Sequence, residues 1–182
     1  MKRFILLVII VFCLFLCGSY QKECGGIFRW DVKVCSDTGF INPAVKPIQI
    51  SKLIKNVSGR KLKRGMPRFG IEHNIYRVRC RIVDWKDEKD GDYHLVLQEV
   101  DGEVTMVGEI PDPGCSRVKG SRYLKGIKQS RQFFNAEVIS GDLEDNGVYE
   151  VTGVAYFDFF HNQIGMAPSG LELHPIISIK KL

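Results

Sequence analysis

The sequence predicts a predominantly β protein with one main helix, built as a small five-stranded barrel behind an irregular N-terminal extension. Three observations predict it. Five stretches between residues 75 and 182 alternate apolar with polar side chains or are rich in β-formers. Only Val118 to Phe134 carries an apolar face at helical spacing. Asp-Gly and Pro-Gly clusters separate these stretches as turns do.

The first 18 residues stand apart. Met1-Lys2-Arg3 precedes an apolar run from Phe4 to Leu16, which is short for a bilayer-crossing helix and suits an export signal. Cys17 follows it as a candidate lipid-attachment site, with cleavage near Gly18 or Ser19 as the competing outcome. Residues 19–74 are rich in proline, glycine and basic residues and read as an irregular extension with one or two short elements.

In the domain from residue 75 to 182, Tyr76, Val78, Cys80 and Ile82 alternate with Arg77, Arg79 and Arg81, a half-buried strand that ends near Trp85. Asp90-Gly91 turns the chain into a second strand, Tyr93 to Glu99. Asp101-Gly102 is a hairpin signal leading to a third, Val104 to Ile110, which Pro111-Asp112-Pro113-Gly114 stops. In the helix, Tyr123, Leu124, Ile127 and Phe134 share a face. Val148 to Phe160 and Leu171 to Ile179 supply the last two strands. Three strands, a helix and two strands fit a barrel of the OB type, whose closure also protects its strand edges.

Hydrophobic residues make up 45% of the chain and charged residues 26%, enough for a packed core and against global disorder or a multi-span membrane protein. Net charge is +5, and removal of Lys2 and Arg3 with a signal takes two charges from it and leaves +3. The basic residues cluster. Lys52, Lys55, Arg60, Lys61, Lys63, Arg64 and Arg68 follow one another without an acidic residue between, and Arg117, Lys119, Arg122, Lys125, Lys128 and Arg131 form a second group. Acidic residues gather at 84–92 and 142–150, so opposed faces are expected. Beyond the signal, Cys24, Cys35, Cys80 and Cys115 allow two disulfides in three connectivities; Cys24 with Cys35 and Cys80 with Cys115 is one, and a buried free Cys80 is the alternative.

Four segments carry a family resemblance: Asp90-Gly91-Asp92-Tyr93-His94-Leu95-Val96-Leu97; Met106 to Pro113 with Cys115; Thr152 to Asp158; and Gly165-Met166-Ala167-Pro168-Ser169-Gly170-Leu171-Glu172-Leu173-His174-Pro175. Together they resemble a family of bacterial exported and lipid-anchored OB-fold proteins described as nucleic-acid binders. The resemblance spans about Arg68 to Ile179. It implies the barrel fold and a nucleic-acid ligand, and it assigns no catalytic residue.

Asp92, His94, Glu109, Asp158, His161, Glu172 and His174 include the residue types of acid–base or metal chemistry, and His94, Glu109, Asp158 and His174 are the catalytic candidates. No HExxH helix or EF-hand loop is present, and no cofactor and no metal site are expected. The competing reading is architectural: buried histidines and carboxylates that satisfy strand ends and turns. For nucleic acid, Arg60, Lys61, Lys63 and Arg64 form one candidate patch and Arg122, Lys125 and Lys128 another, with Tyr76, Trp85, Tyr93, Tyr156, Phe157 and Phe159 as candidate stacking rings.

The leading expectation is therefore a non-enzymatic module that binds single-stranded nucleic acid or another polyanion. It is exported, anchored by lipid at Cys17 or secreted, and monomeric by default. A cell-envelope protein-interaction or scaffolding module and a metal-dependent hydrolase are the alternatives. Asn56-Val57-Ser58 is a glycosylation acceptor, taken here as an unmodified surface residue.

Overall fold

A computed structural model describes residues 24–25, 28–55, 57, 61–140, 147–160 and 163–182. The predicted signal segment with Cys17, Gly18 and Ser19, and also Asn56, Arg60 and His161, lie outside the described residues. The elements are α1 (Trp30–Lys33), β1 (Asn42–Pro47), α2 (Ile50–Lys55), β2 (Asn74–Asp87), β3 (Tyr93–Glu99), β4 (Thr105–Ile110), α3 (Leu124–Phe134), β5 (Val148–Phe157) and β6 (Leu171–Lys181). A 3-10 turn at Gly70–His73 leads into β2, another at Val118–Gly120 precedes α3, and a π turn at Asn135–Ile139 follows it.

Strands β2 to β6 pair in the order β2-β3-β4-β6-β5, and β5 returns to β2, so the five close on themselves. The β4–β6 pair is parallel and the other four barrel pairs are antiparallel. With α3 between the third and fourth barrel strands, this is the OB-type barrel that the element order predicts. Closure depends on β2 serving two neighbours: Ile75 to Arg81 pair with β5, and Cys80 to Asp87 with β3. A bulge between Ile82 and Asp84 breaks the register and turns Val83 outward.

The interior is the inward row of each strand. Val78, Cys80 and Ile82 from β2, Leu95 and Leu97 from β3, Met106 and Ile110 from β4, and Leu173, Ile176 and Ile179 from β6 are all buried in one cluster. The arginines that alternate with them on β2 stay out. Ile127 and Phe134 of α3 complete the cluster, and the helix comes close because Gly126 faces β6, where an added Cβ would lie 2.6 Å from the Ile177 carbonyl oxygen.

The extension is bound to the barrel through both polar and apolar contacts. Trp30, Val34, Ile50 and Leu53 enter the main core, while Cys35 and Ile41 pack with Ile75 and Val154 in a second cluster. β1 adds a strand parallel to β2, with Val45 to Pro47 against Ile75 to Arg77. The Cys24–Cys35 and Cys80–Cys115 pairing does not occur. Cys24 bonds to Cys115, and Cys35 and Cys80 are buried thiols. The physical reason is the pleat: Cys80 points into the barrel between Val78 and Ile82, whereas Cys35 packs in the second cluster with Ile75 and Val154.

Candidate functional site

Alternation along β3, β4 and β6 puts Leu95, Met106, Ile110 and Leu173 inside and leaves His94, Glu109, Glu172 and His174 in the opposite, outer row. Register then gathers them. His94 stands directly opposite Glu109 across the β3–β4 pair, Val107 is level with Glu172 across β4–β6, and Glu172 is opposite Tyr156 across β5–β6. Asp92 joins from the turn before β3, held by its own N–H on Asp90 Oδ1. This outer row would ordinarily face water, yet Asp92, His94, Glu109, Tyr156, Glu172 and His174 are all buried. Residues from α1 and the Gln163–Gly165 segment lie on it: His174 Nδ1 donates to the Lys33 carbonyl, and His94 Nε2 lies 3.2 Å from that of Ile164.

Lys33 is the centre of the arrangement. Its ammonium is 2.8 Å from Glu109 Oε2, 3.4 Å from Asp158 Oδ2 and 3.7 Å from Glu172 Oε1. His174 Nε2 lies 3.2 Å from Glu109 Oε2 and 3.4 Å from Asp92 Oδ2, and His94 Nδ1 lies 3.1 Å from Glu109 Oε1. The four catalytic candidates, His94, Glu109, Asp158 and His174, therefore do converge, together with Asp92 and Glu172. His161 lies outside the described residues.

The charges settle one another. Burial alone would pull the Lys33 ammonium down, but Glu109, Glu172 and Asp158 outweigh it and hold its pKa well above the lysine value. Burial likewise works against ionised Glu109, and Lys33 with the His174 and His94 hydrogen bonds overcomes it, so that carboxylate stays well below its ordinary range. Glu172 goes the other way: burial and the neighbouring Glu109 and Asp158 outweigh Lys33 and push it well up. Burial and Lys33 depress His174, but hydrogen bonds to Asp92 and Glu109 raise it to about 9. Two carboxylates sharing one environment have thus been driven apart, which is what acid–base chemistry requires.

Beside this cluster Arg29 reaches across to Glu72 with two hydrogen bonds, one of 2.8 Å, and both side chains are sealed from solvent. Glu72 also accepts the N–H groups of Phe69 and Phe157, tying the chain before β2 to the end of β5. An open cleft of about 520 Å³ runs past Arg29, with Arg64, Arg68, Asp37, His73 and Arg117 among its lining residues. Arg68 is committed to Asp37 and to the Val32 and Glu72 carbonyls. Arg64 and Arg117 are exposed and have no acidic partner among the described residues; Arg64 stacks over Phe28 at 5.1 Å.

Of the predicted basic residues, Lys61, Lys63 and Arg64 are exposed on the loop before β2 and Arg60 lies outside the described residues. Lys125 and Lys128 project from α3, while Arg122 donates to the carbonyls of Cys35 and Asp37 and acts as a bracket for the extension. The predicted stacking rings are mostly committed: Tyr76, Tyr156 and Phe157 are buried, Trp85 packs edge-on against Tyr93 and Phe134, and Tyr93 packs tilted against Phe134. Phe159 packs on Phe28 at 4.3 Å. Among the described residues the exposed rings are different ones, Phe28, Phe40 and Phe160. Lys33, Arg29 and Phe40 are the participants that sequence reasoning passes over, and Arg117 is named only as a member of the second basic stretch; Lys33 and Arg29 sit in a short stretch, Arg29-Trp30-Asp31-Val32-Lys33, without periodicity.

No protein-family model matches the chain, and no curated protein matches it.

Proposed function

We propose that this chain is a non-enzymatic binding module for single-stranded nucleic acid, exported from the cytoplasm and held at the cell envelope by lipid at Cys17 or released after cleavage. The observation that carries the reading is the cleft at which Arg64 and Arg117, one from each basic stretch, lie free of acidic partners among the described residues. Unpaired cations on an open surface attract a phosphate backbone, while the cations that are paired here, Lys33, Arg29 and Arg68, serve the interior.

Rings stand beside those cations. Phe28 lies under Arg64 and is packed by Phe159 at 4.3 Å, so the ring open to a base is Phe40, 70% exposed, which follows the cleft residue Gly39 with its carbonyl bonded by His73. A base stacks on such a ring whatever its identity. The usual ligand face of an OB barrel is a poor alternative, because here it is acidic and covered by α1. The Cys24–Cys115 disulfide belongs with an oxidising compartment outside the cytoplasm.

The deciding measurement is binding of a short labelled single strand, the matching duplex and a polyanion of equal charge over a salt series. Preference for the single strand is expected, with affinity falling as salt rises. Arg64→Ala/Arg117→Ala should flatten the logarithmic salt slope by about 1.4, roughly 0.7 for each phosphate that is no longer neutralised. Equal affinity for all three ligands would reduce the reading to unspecific charge. No binding at all would replace it with an envelope protein as partner.

A further inference from the structure

Polyanion binding accounts for the Arg64 side chain but not for the loop that carries it. Lys61-Leu62-Lys63-Arg64-Gly65 leads from the extension towards β2, and Lys61, Lys63, Arg64 and Gly65 are all exposed. No helix or strand includes it. Among the described residues one backbone hydrogen bond closes it, from the Met66 N–H to the Lys63 carbonyl at 3.3 Å, which makes Arg64 and Gly65 the corner of a turn. Gly65 takes the left-handed φ of +72° that this corner requires, and a Cβ built on it would meet nothing within 4 Å. The Arg64–Gly65 bond therefore stands clear of the body of the protein.

The loop is fastened at its two sides. Leu62 packs against the main core, and Arg29 donates to the carbonyls of Met66 and Pro67 at 2.9 Å and 3.2 Å. An endoprotease takes its substrate extended, and opening this loop costs one turn hydrogen bond and the Leu62 contact, which places it among the least protected parts of a fold. The side chains fit one specificity. An acidic pocket takes a basic side chain, and basic residues fill the first, second and fourth positions before the bond. Lys-Arg occurs at 2–3 and at 63–64, so the second is the one such pair among the described residues.

An independent observation concerns what a cut leaves behind. Cys24 lies before the bond and Cys115 after it, so the disulfide spans the cut. The ion pairs of Lys33 with Glu109, Arg29 with Glu72 and Asp37 with Arg68 span it as well, and so does the pairing of β1 with β2. The two pieces stay one molecule.

We propose that Arg64–Gly65 is a processing site, cut by an endoprotease of basic specificity to give a folded molecule of two disulfide-linked chains. Water adds across the bond: its hydroxyl goes to the Arg64 carbonyl carbon, the C–N bond breaks, and its proton goes to the Gly65 nitrogen. Arg64 then stands at a chain end beside a carboxylate of its own and is lost to the cleft. This last consequence, by which processing turns the ligand site down, rests on the polyanion reading; the cut itself does not.

The test treats the native full chain with a serine endoprotease specific for Lys-Arg pairs, with the reduced and heat-unfolded chain as control. After reduction the native digest should give one piece ending at Arg64 and one starting at Gly65. Without reductant the pieces should stay together and melt close to the parent. The logarithmic salt slope for a single strand should fall by about 0.7, the share of one phosphate. The proposal is overturned if only the unfolded chain is cut after Arg64, or if the cut chain loses its fold. A cut chain that binds a single strand as tightly as the intact one overturns the effect on the cleft. An intact chain that binds no single strand sinks the polyanion reading, and cleavage of the native chain then still supports the processing site.

Discussion

Lys33 Nζ sits 2.8 Å from Glu109 Oε2, joining α1 of the extension to β4 of the barrel with the two side chains only 11% and 4% exposed. An ion pair so enclosed gives little net stability against an apolar pair, but breaking it on one side strands a buried charge. Lys33→Met or Glu109→Gln alone should therefore cost about 3–5 kcal/mol. The double variant should cost clearly less than the two together. Urea unfolding of all four proteins measures the coupling, and single losses below about 1 kcal/mol would mean that the pair is solvated.

The barrel was legible because period-2 alternation is local: Val78, Cys80 and Ile82 against Arg77, Arg79 and Arg81 needs no knowledge of any other strand. The helix was legible for the same reason, from Leu124, Ile127 and Phe134. The site was legible only in part. His94, Glu109, Asp158 and His174 declare their chemistry by type, but their meeting depends on the register of β3 on β4 and on a two-residue parallel pairing between β4 and β6. Lys33 belongs to a four-residue helix, too short to show a period. Cys24 and Cys115 are 91 residues apart, and no local spacing announces their union.

Gly126 tests how closely α3 sits on β6. Alanine is the better helix former by about 1 kcal/mol, so Gly126→Ala would stabilise a helix that stood clear. Here the new Cβ would meet backbone, the Ile177 carbonyl oxygen at 2.6 Å, which cannot swing away as a side chain can. The substitution should therefore destabilise by about 1–3 kcal/mol. A rise in the thermal midpoint would show that the helix packs further out.

The two buried thiols give a pH dependence of known sign. Burial pushes both Cys35 and Cys80 from 9.0 up to about 12. The native state keeps protons that the unfolded chain releases, so these groups contribute stability in full below pH 9, and it is lost as the pH rises towards 12. Near pH 8 neither thiol should react with a thiol reagent in the native protein, and both should react after denaturation. Rapid labelling of native Cys35 would show that the second cluster opens readily.

The two basic surfaces should not behave alike. Lys125 and Lys128 lie on an exposed helix face, where phosphate could be held only by charge, whereas Arg64 and Arg117 line a concave cleft with Phe28 and Phe40 beside it. Charge reversal separates the effects, since all four side chains are exposed and their replacement should leave folding nearly unchanged. Arg64→Glu/Arg117→Glu should weaken a short single strand at least about tenfold, by repulsion and by leaving two phosphates without a cation. Lys125→Glu/Lys128→Glu changes the net charge by the same amount and should weaken it only slightly at 0.15 M salt, where charges more than about 8 Å away are screened. Equal weakening in the two variants would show that the whole positive field, not the cleft, holds the ligand.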